Sequence, residues 1–326
     1  MVQLNDKSMP LIEILMATYN GERFLTEQLD SIINQSYSNW LLRISDDCSS
    51  DGTAEIIDAY QSADSRIEEV TSGRRFGAAA EHFYWLAQRS AADYVAFSDQ
   101  DDVWISDKLS IQMEKMRALE DEFGRDVPLL VHSDLEVVDV SLSTICDSYA
   151  DMQRIKLDRV SFNQLIPQNV VTGCTVLANR SLIAMLEKGF DPSILMHDRW
   201  LALLAAAFGH VGTVEAPLVR YRQHGSNAVG AHGFSISSRI FKLDKAAQSM
   251  RDTGKQAALF ERRYSGRLSE EKRSQVHEYA LAFKEPFLAT RLSHFLKSGC
   301  WMSGISRKIA QIVALVFCFP MGEAKK

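Results

Sequence analysis

The chain has 326 residues, 46% of them apolar and 24% charged, which is ordinary globular composition with room for one large or two modest domains. Its net charge of −6 hides an asymmetry: from Ala231 onward 17 Lys/Arg face 8 Asp/Glu, a balance of +9, so the preceding body carries −15. An acidic body excludes a nucleic-acid surface, which needs a basic patch for the phosphates, and five cysteines (Cys48, Cys146, Cys174, Cys300, Cys318), odd in number and without C-x-x-C spacing, argue against a disulfide framework or a zinc site.

Residues 1–10 carry Asp6 and Lys7 and no apolar core, so no signal peptide is read and the expected location is the cytoplasm. The apolar run 11–16 predicts a buried strand. Residues 22–35 predict a helix with Leu25, Leu29, Ile32 and Ile33 on one face. A strand over 40–45 follows, then a helix from Thr53 with Ile56, Ile57 and Tyr60 on one side, a short strand at 67–70, a helix over 81–89 and a strand over 94–98. Strands alternating with helices predict an α/β fold with a doubly wound, mostly parallel central sheet, whose ligands sit at the carboxyl ends of the strands.

Polar clusters fall at those ends. The first strand runs into Ala17-Thr18-Tyr19-Asn20-Gly21, the second into Asp46-Asp47-Cys48-Ser49-Ser50-Asp51-Gly52-Thr53, and the strand ending at Ser98 into Asp99-Gln100-Asp101-Asp102-Val103-Trp104. Asn-Gly is a turn signal and Ser50 or Asp51 can cap the next helix, so a structural reading stands beside the functional one. Three carboxylates within four residues repel one another without a cation, and hard oxygen ligands suit Mg²⁺ or Mn²⁺ with positions left for phosphate oxygens; a solvated turn is the plain alternative.

In order and spacing, Ala17-Thr18-Tyr19-Asn20-Gly21, Asp46-Asp47-x-Ser49-x-Asp51-Gly52-Thr53 and Asp99-Gln100-Asp101-Asp102-x-Trp104 resemble family 2 of the inverting nucleotide-sugar glycosyltransferases, which have the GT-A fold. Downstream, Val131-His132-Ser133-Asp134, Val171-Thr172-Gly173-Cys174, His197-Asp198-Arg199-Trp200 and Tyr221-Arg222-Gln223-His224-Gly225-Ser226-Asn227 resemble its rhamnosyltransferase-like subgroup, so the likeness covers roughly 11–230. The resemblance implies a Rossmann-like catalytic domain over 1–232, with a nucleotide-sugar half to about 105 and an acceptor half over 106–232, followed by a basic helical extension over 233–326.

It also implies roles. Thr18, Asn20 and Asp47 line the nucleoside pocket, while Asp99 lies near the ribose or metal. Asp101 holds a divalent Mg²⁺ or Mn²⁺ with Asp99, and His224 is a further ligand; Arg222 and Gln223 turn to the donor diphosphate. Asp198 is the base that takes the acceptor hydroxyl's proton, with His197 either orienting it or incidental. Gly173, Cys174, Trp104 and Trp200 border the sugar or acceptor pocket, although both tryptophans read equally well as core. Asp102 either touches the ion or supports the loop. Where family members commonly carry Asn, this chain has Arg75 and His82, which puts polar donor contacts from that loop in doubt.

The expected activity is hexosyl transfer with inversion from a nucleoside diphosphate sugar, dTDP-L-rhamnose ahead of UDP-hexoses, to a hydroxyl of a cell-surface polysaccharide or lipid-linked glycan. The alternative is a non-catalytic sugar-nucleotide-binding GT-A module. A phosphotransferase would need a nucleophilic Asp or a Gly-Lys phosphate loop, and neither follows the first strand. The tail interleaves basic residues with Phe283, Phe287, Leu288, Leu292, Phe295, Leu296 and Trp301 and ends in the apolar stretch 309–320 behind Arg307 and Lys308. That stretch is too short to span a bilayer. It suits either a helix lying in the inner face of an anionic membrane or one packed on the body or in a homo-oligomer.

Overall fold

The computed structural model describes residues 9–224 and 239–317, and the chain divides into two compact units. The first comprises 1–153, 171–190 and 196–231; the second comprises 154–170, 191–195 and 232–326. The second unit thus takes two short segments from within the 1–232 span as well as the C-terminal helices.

The first unit is a mixed sheet with helices against it. In chain order its elements are β1 (Ile12–Thr18), α1 (Leu25–Ile33), β2 (Trp40–Asp46), α2 (Thr53–Ala63), β3 (Ile67–Glu69), α3 (Ala79–Ala87), β4 (Tyr94–Ser98), β5 (Val103–Trp104), α4 (Lys108–Phe123), β6 (Leu129–Val138), β7 (Thr144–Cys146), α5 (Tyr149–Gln153), β8 (Leu177–Asn179), α7 (Arg180–Ile183), α8 (His197–Phe208) and β9 (His210–Arg222); α6 (Phe162–Leu165) belongs to the second unit. The strand order is β3-β2-β1-β4-β8-β6-β9-β5, with β7 on β6. The β3-β2-β1-β4 half is parallel throughout, as the alternation predicted. β8 then inserts antiparallel between β4 and β6, and β9 runs parallel to β6.

Register explains where the site forms. Thr18 pairs with Asp46 and Met16 with Ser98, so the carboxyl ends of β1, β2 and β4 share one rim. Leu25, Leu29 and Ile32 of α1 are fully buried against Ile14, Met16, Leu42 and Ile44 in the main core, and the fourth inward position is Gln28, whose Nε2 donates to Ser98 Oγ at 2.8 Å. β5 pairs antiparallel with β9, Val103 to Arg220, which brings the acidic loop before β5 alongside Arg222. β9 is irregular: Ser133 and Asp134 of β6 oppose Val214 and Pro217, leaving Glu215 and Ala216 as a bulge.

The second unit is helical. It holds α9 (Arg239–Tyr264), α10 (Glu270–Leu281), α11 (Leu288–Ser298) and α12 (Ile305–Phe317), with α6 packed through Phe162 onto Phe260 of α9 at 5.4 Å between ring centres. Ser269 caps α10 by accepting from Lys272 N–H. Arg291 of α11 is buried and donates to the carbonyl of Leu315 near the end of α12, and Gln311 donates to Cys300 O at 3.3 Å. These contacts run the two helices antiparallel. Among the described residues no helix is long and apolar enough to cross a membrane; of the apolar stretch 309–320, residues 318–320 lie outside the described residues.

Candidate active site

The rim loops are tied to one another by polar side chains. Thr18 Oγ1 and Ser49 Oγ both donate to Asp46 Oδ1, at 2.8 and 2.6 Å, and Ser49 N–H reaches Asp46 Oδ2 at 2.7 Å. Asn20 sits at φ 48°, a left-handed conformation that Asn tolerates. Its N–H donates to Ser49 Oγ at 2.8 Å, and its Oδ1 accepts from Ser50 N–H at 2.9 Å. Gly52 holds the N-cap position of α2, and Asp51 ahead of it accepts from Thr53 N–H at 3.2 Å and Thr53 Oγ1 at 2.5 Å. Asp47 is buried, and its two oxygens accept the N–H groups of Phe76 (2.5 Å) and Gly77 (2.8 Å), so it fixes the loop ahead of α3 while each oxygen keeps a free acceptor direction.

That loop shows what replaced the expected asparagines. His82 is buried and stacks on Phe76 at 4.3 Å, and burial lowers its pKa, so it serves as a neutral packing ring. Arg75 lies over the exposed ring of Tyr19 at 4.8 Å. The pair forms a flat cationic and aromatic surface next to Asn20.

The residues of the acidic loop take separate partners. Gln100, which the sequence reading passed over, clamps the β1 loop: its Oε1 accepts Tyr19 N–H at 2.8 Å and its Nε2 donates to Tyr19 O at 3.0 Å. The approach is so close that a Cβ on Gly21 would fall 2.6 Å from Gln100 Oε1. Asp102 is fully buried, accepts Arg222 N–H at 3.1 Å and is hydrogen-bonded by the Cys174 thiol. Its pKa is raised by burial and by the charges of Asp101 and Asp99. Asp102 supports the loop through the Arg222 N–H, and its carboxylate also lies against that of Asp99.

The carboxylate of Asp99 lies against Asp102 and Cys174, whereas that of Asp101 turns to His224. Asp99 has its pKa raised to about 7 by burial first, then by the charges of Asp101 and Asp198. Asp101 Oδ2 meets His224 Nε2 at 2.7 Å. Two carboxylates and an imidazole are an oxygen-rich set suited to Mn²⁺ or Mg²⁺, and a divalent charge would relieve the repulsion felt at Asp99. The tightest cluster of ligand-type atoms among the described residues is a different one, Asp99, Asp102 and Cys174, all within 4.8 Å. Cys174 is fully buried and burial raises its pKa, so it stays a protonated thiol, a poor partner for a hard cation. Asp101 with His224, and Asp99 with Asp102, are the pairs that could contribute donors to an ion site.

Arg222 is placed differently from the expectation that it faces a diphosphate. Its side chain is buried and turned into the protein: Nε donates to Asp101 O at 2.9 Å, Nη1 to Val140 O at 2.7 Å, and Nη2 to Glu27, while the guanidinium covers Phe24 at 4.5 Å. It braces the acidic loop against α1. Gln223 N–H continues the sheet to Val138 O at 2.8 Å, and His224 rests on Phe24 at 5.0 Å. Residues 225–227 of the same motif lie outside the described residues.

Asp198 occupies the first turn of α8. Burial raises its pKa to about 7, opposed by the Arg199 N–H and charge and by the Gly173 N–H. His197 packs between Phe83 (4.3 Å) and Phe97 (4.8 Å), and burial lowers its pKa to about 3. It is a neutral core ring, not a partner of Asp198. Gly173 is required beneath it, since a Cβ there would sit 2.9 Å from His197 Nε2. Trp104 and Trp200 are buried: Trp104 lies under Lys108 Nζ at 3.6 Å and Trp200 is fully enclosed, so both stand behind the site as core. Lys108 is itself fully buried, with its pKa lowered to about 7 by burial, and it donates to Gln112 Oε1 at 3.0 Å.

A rim that gathers paired acids, a polar β1 loop and a carboxylate at a helix start can be compared with known proteins. The Glycosyl transferase family 2 profile matches residues 13–123. The chain is 30% identical over 231 residues to the dTDP-rhamnosyl transferase RfbG of Shigella flexneri, covering 67% of this chain and 74% of that protein. It is also 30% identical over 235 residues to the UDP-Glc:alpha-D-GlcNAc-diphosphoundecaprenol beta-1,3-glucosyltransferase WfgD of Escherichia coli, covering 71% and 81%. Among solved structures, the mannosyltransferase PcManGT from Pyrobaculum calidifontis, in complex with GDP-Man and Mn²⁺, superposes with a TM-score of 0.58 at 17% identity over 96% of this chain and 87% of that one, a likeness of fold. The chain belongs to glycosyltransferase family 2 and is a transferase of GT-A architecture.

Proposed function

We propose that this glycosyltransferase moves a sugar, with inversion, from a nucleoside diphosphate donor to a hydroxyl of a surface polysaccharide or lipid-linked glycan, with dTDP-L-rhamnose the favoured donor and UDP-hexoses next. One observation carries the catalytic part: Asp198 is a buried carboxylate on a rigid helix start with a pKa near 7, and its charge is felt at Asp99. A base poised near neutrality takes the acceptor hydroxyl's proton as that oxygen attacks the anomeric carbon, while the bond to the diphosphate breaks on the opposite face. Thr18, Asn20 and Asp47 would line the nucleoside end, with the Tyr19 and Arg75 surface beside them; Gly173 would border the acceptor side. A divalent ion held by Asp99, Asp101 and His224 would neutralise the charge growing on the departing diphosphate. Arg222 and Gln223 would keep that end in place by holding the acidic loop, not by touching phosphate.

The donor preference rests on RfbG, whose name states dTDP-rhamnose, against WfgD, whose name states UDP-glucose at the same identity, together with the rhamnosyltransferase-like motifs. The lipid-linked acceptor rests on WfgD. A screen of nucleotide sugars for transfer or slow hydrolysis, run with Mn²⁺, Mg²⁺ and EDTA, tests all three parts. Turnover of dTDP-L-rhamnose that EDTA abolishes is the expected result. Turnover undiminished by EDTA would remove the metal, and turnover of UDP-hexoses alone would reverse the donor order.

A further inference from the structure

We propose that the α11–α12 hairpin of the second unit is a docking surface for an anionic lipid membrane. The evidence is an inversion of the usual pattern in α12. A helix packed on a protein buries its branched aliphatics, yet α12 buries Gln311, Ala314 and Leu315 and leaves Ile305, Ile309 and Val316 exposed, Ile305 at 80%. Those three, with the half-buried Ile312 between them, recur at i, i+4, i+7 and i+11, which is one helical stripe. Its neighbour does the same: α11 exposes Leu288 and Leu296, with half-buried Leu292 between them, and Phe287 at its start is 72% exposed. Scattered exposed apolar residues are normal, but continuous aliphatic stripes on two adjacent antiparallel helices are not.

Charge selects the occupant. Between 286 and 317 there are four cations, Arg291, Lys297, Arg307 and Lys308, and no Asp or Glu. Lys297 and Lys308 are exposed beside the stripes, whereas Arg291 is buried on Leu315 O. Three further cations, Arg251 and Lys255 of α9 and Lys284 ahead of α11, line a cavity of about 230 Å³ with Gly254, Ala280 and Phe283, Lys255 being paired with Asp252 at 3.1 Å. A second copy pressed against this face would bring Lys297 and Lys308 of both copies together, with no Asp or Glu between 286 and 317 to offset them. Lipid phosphates supply the counter-charge and the acyl region accepts the aliphatics. At 13 residues α12 is about 20 Å long, so it lies in the surface and does not span.

Flotation of the full chain with vesicles tests this without reference to sugar transfer, so it succeeds or fails independently of the proposed reaction. Binding is expected to vesicles of phosphatidylglycerol mixed with phosphatidylcholine, to weaken in high salt, and to be much poorer on phosphatidylcholine alone. Ile305→Glu combined with Ile309→Glu should cut binding by ~10-fold or more, and Lys297→Glu with Lys308→Glu should remove the preference for the anionic lipid. These positions are exposed, and an unchanged melting temperature confirms that the variants fold. A wild-type chain that stays unbound on anionic vesicles at low salt overturns the proposal. So does a wild-type dimer in light scattering that the Ile305→Glu/Ile309→Glu pair converts to monomer while vesicle binding is unaltered.

Discussion

The acidic loop 99–102 and the helix start 197–198 solve one problem in two ways. In each, neighbours in sequence take different partners: Asp101 meets His224 while Asp102 accepts from Arg222 N–H, and Asp198 follows His197, which packs on aromatic rings. The loop is held from a distance, by Tyr19 through Gln100 and by Arg222 through Asp102 and the Asp101 carbonyl. The helix start is held by its own first turn, by the Gly173 N–H, and by aromatic packing of His197 on Phe83 of α3 and Phe97 of β4. Asp198 can be changed without touching the packing of His197, whereas the loop hangs on directional hydrogen bonds to the β1 loop and to β9, so losing one of those partners moves its acids.

The sharpest probe is Asp198→Asn, which removes a general base while keeping shape. The turnover number should drop by ~10²–10⁴-fold with donor affinity unchanged, measured by steady-state transfer and titration calorimetry; retained turnover would sink the role of Asp198. Next is Arg222→Met. Losing a buried guanidinium leaves the Asp101 and Val140 carbonyls unpaired and should cost about 3 kcal/mol in urea unfolding. It should also weaken Mn²⁺ binding, because the Asp101 main chain is no longer anchored. If only stability falls, the loop is less dependent on its remote ties than this comparison holds.

Acidity separates the regions by cation. Asp198 and Asp99 both have native pKa values raised to about 7 from an ordinary carboxylate value of 3.8. Turnover should therefore climb about tenfold per pH unit below pH 7 and level off above it, as Asp198 ionises. For stability the sign is opposite. Between roughly pH 4 and 7 the native state binds more protons than the unfolded one, so stability declines as pH rises through that window. Added Mn²⁺ should restore the part due to Asp99 and leave the part due to Asp198, read as melting temperature against pH with and without the ion.

Smaller effects follow. Gln100→Ala deletes two hydrogen bonds to Tyr19 and should cost about 1–2 kcal/mol, with a raised KM for the donor and a nearly unchanged turnover number. His197→Phe keeps volume and aromatic packing, so the cost should stay below about 1.5 kcal/mol with turnover near wild type. A loss in turnover as large as that of Asp198→Asn would show that His197 works with the base after all.

Much of the parallel half was legible in the sequence because each element carries its own period. The apolar run at 11–16, the i, i+3/i+4 face of Leu25, Leu29 and Ile32, and the strands at 40 and 94 all lie within about two residues of β1, α1, β2 and β4. The antiparallel insertion of β8 was not legible, since three residues have no periodicity and the pairing joins segments some eighty residues apart. The site divides in the same way. Acids crowded at strand ends announce themselves by type and spacing. The inward turn of Arg222 onto Glu27, and the clamp of Gln100 on Tyr19, depend on the registers of β5 on β9 and of β4 on β1, which no local pattern encodes.

The bulge in β9 has a consequence for how this chain can change length. The Glu215–Ala216 bulge is followed by a second shift, where Asp134 and Glu136 oppose Pro217 and Arg220, so β9 absorbs a further odd residue before regular pairing resumes at Glu136–Arg220 and runs to Val138–Arg222. The irregular stretch before Arg220 is therefore where the chain can change length. A single-residue insertion between Arg220 and Arg222 would instead turn Arg222 to the other face and release the acidic loop from its brace.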